Sequence, residues 1–227
     1  MKLNRIISSL MLVASLWVTT SCECDHDIVT PFASSLQVGN VVCSDGTVLS
    51  AKDFDNSGKE PVAIVYHVNQ NPVINCLGYA VYIHDMAPQA FADSLGVEQE
   101  TSASLTEEDG NANTYALYHC EDVSSSMAIK VFDMWSYGQS AYVPSIRQLS
   151  YFFPVRHAVN ERIKAVGGEP ISLEADDCWL WSSTEVEGQT ENKAWLFSMQ
   201  SGTYQETPKN QAHRFRPIIS IYQLLRL

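Results

Sequence analysis

The sequence predicts an α+β domain that mixes strands with short helices. Three observations carry that prediction. Two consecutive apolar runs, Pro61–Val68 and residues 76–84, are rich in β-branched and aromatic residues and end at turn residues. A helical stretch with its own start and stop signals occupies residues 145–168. A later set of runs carries tryptophans in alternation, Trp179 and Trp181 on one and Trp195 on the next. The 227 residues are 45% hydrophobic and 18% charged, a balance that supports a packed core and opposes global disorder.

The chain opens with Lys2 and Arg5, then a largely apolar stretch over residues 6–18. That stretch is too short to span a bilayer and has the length of a signal-peptide core. Thr19, Thr20 and Ser21 lead into Cys22, and small residues before a cysteine at this distance resemble a bacterial lipoprotein signal. The expectation is a signal peptide over residues 1–21 and lipid attachment at Cys22, an anchor in the membrane by lipid alone. A plain secretory signal cut nearby is the competing reading. Residues 22–37 read as an acidic tether, with Glu23, Asp25 and Asp27 directly behind Cys22, and residues 38–227 as one domain. The acidic start resembles signals that send lipoproteins to the outer face of the outer membrane.

Residues 38–43 read as a strand, Ser44–Thr47 as a turn around Asp45-Gly46, and Val48-Leu49 as its return. A second turn at residues 56–59 leads into the two apolar runs, which suggest a sheet centre buried on both faces. Asp53, Asp55 and Ser57 match the start of a calcium loop, but the position that needs a glutamate is Ile64, so no EF-hand is expected. Residues 86–114 lose periodicity and turn acidic. Residues 114–120 and 125–134 read as short helices, the second capped by the serines at 124–126.

Ser145 and Gln148 form a capping box, followed by Leu149, Phe152 and Phe153 at helical spacing. Pro154 interrupts the helix, which resumes with Val155, Val159, Ile163 and Val166 on one face and stops at Gly167-Gly168. His157 lies beside that face. Strands follow over residues 179–183, 193–199, 203–207 and 214–222, with Pro217 suited to an edge or bulge.

A formal net charge of −12 opposes nucleic-acid binding, which needs Lys and Arg at phosphates. No G-x-S-x-G, H-E-x-x-H or glycine-rich phosphate loop occurs, no metal or cofactor is indicated, and no catalytic set is marked. With Cys22 lipidated, the remaining cysteines are 24, 43, 76, 120 and 178, an odd number without a C-x-x-C pair.

Several pieces resemble one known family when taken in order: residues 43–47, 57–65, 78–81, 109–114, 143–145, 158–160, Gly167-Gly168, the Trp-Ser-Ser-Thr-Glu run ending at Glu185, Ala194-Trp195 and the Arg-Phe-Arg-Pro run from Arg214 to Pro217. They are similar to bacterial surface domains called FISUMP or Lcl C-terminal domains, grouped with the C-type-lectin-like fold and with formylglycine-generating enzymes. The resemblance implies a C-type-lectin-like mixed α+β domain over roughly residues 38–222, with twisted antiparallel strands, short helices and long irregular loops. It does not carry the chemistry across. The enzymes use a close pair of cysteines, and only Cys178 lies in the last third here; calcium lectins use a Glu-Pro-Asn loop, and Glu169-Pro170 is followed by Ile171.

The expectation is therefore a lipid-anchored, outer-membrane, surface-exposed protein that binds an extracellular glycan or protein without catalysis. The competing readings are a structural component of a surface or fimbrial assembly, and a divergent formylglycine-generating enzyme with Cys178 near a second thiol in an open cleft. Trp179, Trp181 and Trp195 are expected in the core, with Arg214 and Arg216 holding Glu185 or a backbone carbonyl. The candidate ligand-binding residues are Ser183, Thr184, Glu185 and Asn192, where the tryptophan strand ends.

Overall fold

A computed structural model describes residues 36–70, 76–135 and 141–222. The signal peptide, Cys22 and all but the last residues of the tether lie outside that range. The elements are β1 (Val41–Cys43), β2 (Val48–Leu49), α1 (Ala51–Asp55), β3 (Pro61–Val68), β4 (Cys76–Tyr82), β5 (Gln89–Ala90), α2 (Gly110–His119) and α3 (Ser126–Trp135). They continue with β6 (Ala141–Tyr142), α4 (Ile146–Phe152), a 3-10 turn (Phe153–Val155), α5 (Arg156–Ala165), β7 (Trp179–Glu185), β8 (Lys193–Ser198), β9 (Tyr204–Pro208), β10 (Ala212–His213) and β11 (Ile218–Tyr222). The architecture is α+β, and its strand pairings within sheets are antiparallel.

The larger sheet has the order β2-β1-β3-β4-β11-β6, so the two apolar runs lie at its centre. Side chains on a strand alternate between faces. Val41, Cys43, Ile64, Tyr66, Tyr79 and Val81 point to one side, where Ile146, Leu149 and Phe152 of α4 and Val159 and Ile163 of α5 cover them. Val42, Ala63, Val65, Ala80 and Ile221 form a separate apolar cluster. Every residue of β4 is buried, as expected for a sheet centre. Gly78 has a steric reason to be glycine: a Cβ there would meet the His67 carbonyl oxygen at 2.2 Å.

The smaller sheet, β7-β8-β9, packs Trp181 and Leu196 against Phe91, Leu117, Met127, Val131 and Phe215. β5 pairs with β10, and a parallel bridge from Leu180 to Arg214 links the β7 strand to the chain after β10.

Local chemistry explains the helices. Ser145 Oγ accepts from the Gln148 N–H while the Gln148 side chain accepts from the Ser145 N–H, so the capping box forms as read. Ser125 Oγ accepts from the Ala128 N–H and starts α3. Pro154 opens the 3-10 turn between α4 and α5. At the end of α5, Gly167 has φ +83°, and the Gly168 N–H reaches the Ile163 carbonyl at 2.9 Å, a Schellman stop. Helix α1 was not foreseen. Ser50 caps it through the Asp53 N–H, and Asp55 pairs with Arg162 of α5, so the calcium-like run is a single helical turn.

Candidate functional site

The polar end of β7 is where the sequence placed a ligand site, and it proves to be interior. Ser183, Thr184 and Glu185 have 0% exposure. Asn192 is exposed, in the loop before β8. Three of the four candidate residues are thus buried, and neighbouring segments use their polar groups. Ser182 Oγ donates to the Trp195 carbonyl at 2.8 Å. Ser183 Oγ accepts from the Asn113 amide at 3.4 Å. Thr184 Oγ1 accepts from the Ile146 N–H at 3.0 Å, capping α4 from outside its own chain segment.

Other fragments of the motif set converge on the same place. Thr114 Oγ1 donates to the Gly110 carbonyl and accepts from the Val143 N–H. Asn113 Oδ1 accepts from the Ser102 N–H at 2.9 Å. A Cβ on Gly110 would fall 2.6 Å from the Val143 oxygen. Residues 91–109 run without helix or strand, so their buried backbone groups need side-chain partners. The polar tail of β7 and the start of α2 supply them.

Glu185 closes this node. Its Oε1 accepts from the Gln99 N–H at 3.0 Å and from Lys209 Nζ at 2.5 Å. Lys209 is 0% exposed and also donates to the Val97 carbonyl at 3.0 Å and to Gln99 Oε1. Burial lowers the Lys209 pKa, and the Glu185 carboxylate pulls it back up. Lys209 escaped the sequence reading, since a lone lysine after a strand looks like solvated surface.

Of the two partners expected for the arginines, Arg216 takes the backbone carbonyl. Neither arginine holds Glu185. Arg216 is 1% exposed and donates to the carbonyls of Tyr82 and Glu169 and to the Asp85 carboxylate. Burial lowers its pKa to about 10, opposed by Asp85 and Glu169. Arg214 Nη1 donates to Asp85 at 2.8 Å and its Nε to Asp177 at 2.5 Å.

Of the tryptophans, Trp181 is fully buried, and its indole N–H donates to the Gln89 carbonyl at 3.1 Å. Trp179 and Trp195 are half-buried against the core clusters. Trp195 also lines an open groove of about 600 Å³, walled by Ser104, Leu105, Thr106, Val186, Glu187 and Glu206. The groove begins one residue beyond the buried end of β7. Tyr204 meets the Trp195 ring edge-on at 5.3 Å, and Lys193 occupies the Glu206 carboxylate at 3.0 Å. Indole, hydroxyl and carboxylate groups side by side suit a neutral, hydroxyl-rich ligand better than an anion.

Cys178 is 1% exposed, with its sulfur 3.4 Å from Ser198 Oγ. Cys43 and Cys76 are buried as well and Cys120 is half-buried, so among the described residues Cys178 does not sit in the open cleft that the enzyme reading requires. His157 is exposed on α5.

No protein-family model matches the chain, and no curated protein matches it by sequence. The resemblance to FISUMP and Lcl domains thus stands on its motif fragments alone. A solved structure decides the fold. The chain shares it with a fimbrial protein from Bacteroides ovatus, at TM-score 0.65 and 17% identity. The match covers 82% of this chain and 49% of the other, so the chain spans about half the length of that fimbrial protein.

Proposed function

We propose that this chain is a lipid-anchored subunit of a bacterial cell-surface assembly. The fold shared with a fimbrial protein over 82% of the chain carries the reading. The amino-terminal pattern ending at Cys22 supports export and anchoring. None of the described helices is long and apolar enough to cross a membrane. Deleting the gene should remove or shorten surface filaments, and immunogold labelling should find the protein along them. A protein that stays monomeric on cells whose filaments are unchanged overturns the reading. Cys22→Ala should abolish incorporation of labelled fatty acid, and protease on intact cells should cut the protein.

A second reading, adhesion, is favoured by the groove beside Trp195. The ligand site then moves from Ser183–Glu185 to the groove, with Asn192 on the nearby loop. A glycan and matrix-protein array on the purified domain tests it. Binding that survives Trp195→Ala, or no binding at all, removes the groove from consideration.

A further inference from the structure

Lys209, Gln99 and Glu185 meet in the interior with a geometry that an ordinary ion pair does not require. The Lys209 nitrogen donates to the Gln99 carboxamide oxygen and lies 2.5 Å from Glu185 Oε1. The carboxamide carbon is therefore one bond beyond an atom already in contact with the amine. Gln99 is 1% exposed, and both Lys209 and Glu185 are 0% exposed. Phe91 closes the site on one side, its ring centre 5.5 Å from the nitrogen. Two polar atoms of the cluster, Gln99 Nε2 and Glu185 Oε2, find no hydrogen-bond partner among the described residues. Most buried amides find a partner for each end. Here the oxygen is engaged by the amine while the NH2 is left unpartnered, as suits a leaving group.

We propose that Lys209 and Gln99 become joined by an intramolecular amide bond, with Glu185 as the acid–base residue. Glu185 takes a proton from the Lys209 ammonium, leaving a neutral amine. The amine nitrogen attacks Gln99 Cδ, and the carbonyl electrons move onto Oε1. As the tetrahedral centre collapses, the new Nζ–Cδ bond stays and the Cδ–Nε2 bond breaks. In all, Glu185 carries two protons from the lysine nitrogen to the departing nitrogen, which leaves as ammonium. Glu185 returns to a carboxylate, and no oxidant or external reactant enters. The apolar surroundings favour the step, because burial disfavours the charged amine and already lowers the Lys209 pKa. Close placement of amine, carbonyl and carboxylate supplies the proximity that transamidation lacks in water.

The bond would tie together residues 110 positions apart. It would fix the irregular 91–109 segment to the chain just past β9. This inference stands on the three side chains and not on the assembly reading.

The test is mass spectrometry of the full chain produced in its native compartment, with a peptide map of the same sample. The expected result is a loss of one ammonia relative to the sequence, and a branched peptide joining the segments of Gln99 and Lys209. Glu185→Gln and Lys209→Met should each restore the full mass and two separate peptides. The wild-type map decides alone if either variant fails to fold. Separate, unmodified Gln99 and Lys209 peptides from folded wild-type protein overturn the proposal. So does an ammonia loss that maps to an asparagine succinimide with those two peptides unlinked.

Discussion

Two charge clusters flank the smaller sheet, and they differ in how much water they keep. Lys209 and Glu185 are both 0% exposed in their side chains. In the other cluster Arg216 is 0% exposed, but its partner Asp85 keeps 29% of its surface and Arg214 keeps 35%. The first cluster is a sealed contact in which loss of either member strands a charge. The second is a buried guanidinium tethered to carbonyls, with a carboxylate that water can still solvate. The energetic stakes follow solvation more than the number of bonds.

The sharpest way to break the comparison is Lys209→Met. In protein whose Lys209 amine is free, it strands Glu185 in the interior and should cost about 3–5 kcal/mol. Urea unfolding measures it, and Lys209→Met combined with Glu185→Leu should recover most of the loss. A single-variant cost within experimental error would show that Glu185 is not stranded. Asp85→Ala should cost less, about 2–3 kcal/mol, because Arg216 keeps two carbonyl acceptors. Arg214→Ala belongs at the wet end, below about 1 kcal/mol and weaker still in high salt. An Arg214 variant that destabilises as much as Lys209→Met would mean that the two clusters are equally sealed from water. Between them lies Thr184→Val, which removes the cap on Ile146 and should cost about 1 kcal/mol. A thermal melt reads it, with an unchanged melt indicating that water replaces the hydroxyl.

The smallest expected effect is pH-dependent and belongs to the half-wet side. His213 adjoins Arg214 and meets Trp181 edge-on at 5.3 Å, and burial lowers its pKa below the ordinary 6.5. Burial lowers His67 in the same direction. In the window below 6.5 the unfolded chain takes up protons that the folded imidazoles refuse. Stability should therefore fall as pH drops through that window, and His213→Gln should flatten the slope. A slope of opposite sign would mean that these imidazoles gain protons on folding.

Much of the fold was legible because its signals are local. The runs at Pro61–Val68 and Cys76–Tyr82 became the sheet centre, since β-branched apolar residues without polar alternation leave no face for water. Ser145, Gln148, Pro154 and Gly167 set helix limits through contacts within a few residues. Helix α1 was missed because five residues carry too little periodicity to stand out between two turns.

The Trp-Ser-Ser-Thr-Glu run divides what each level could decide. Local pattern alone shows that a strand passes here, that Trp181 belongs inside, and that the polarity changes abruptly after it. A polar strand end reads as surface, because polar groups without visible partners belong in water. Only the tertiary structure brought Gln99, Asn113, Ile146 and Lys209 to that strand end and closed it off. Their partners lie 24 to 86 residues away along the chain, and no local pattern encodes such distances. A buried polar group is stable only when a partner arrives, and the fold, not the neighbouring sequence, delivers it.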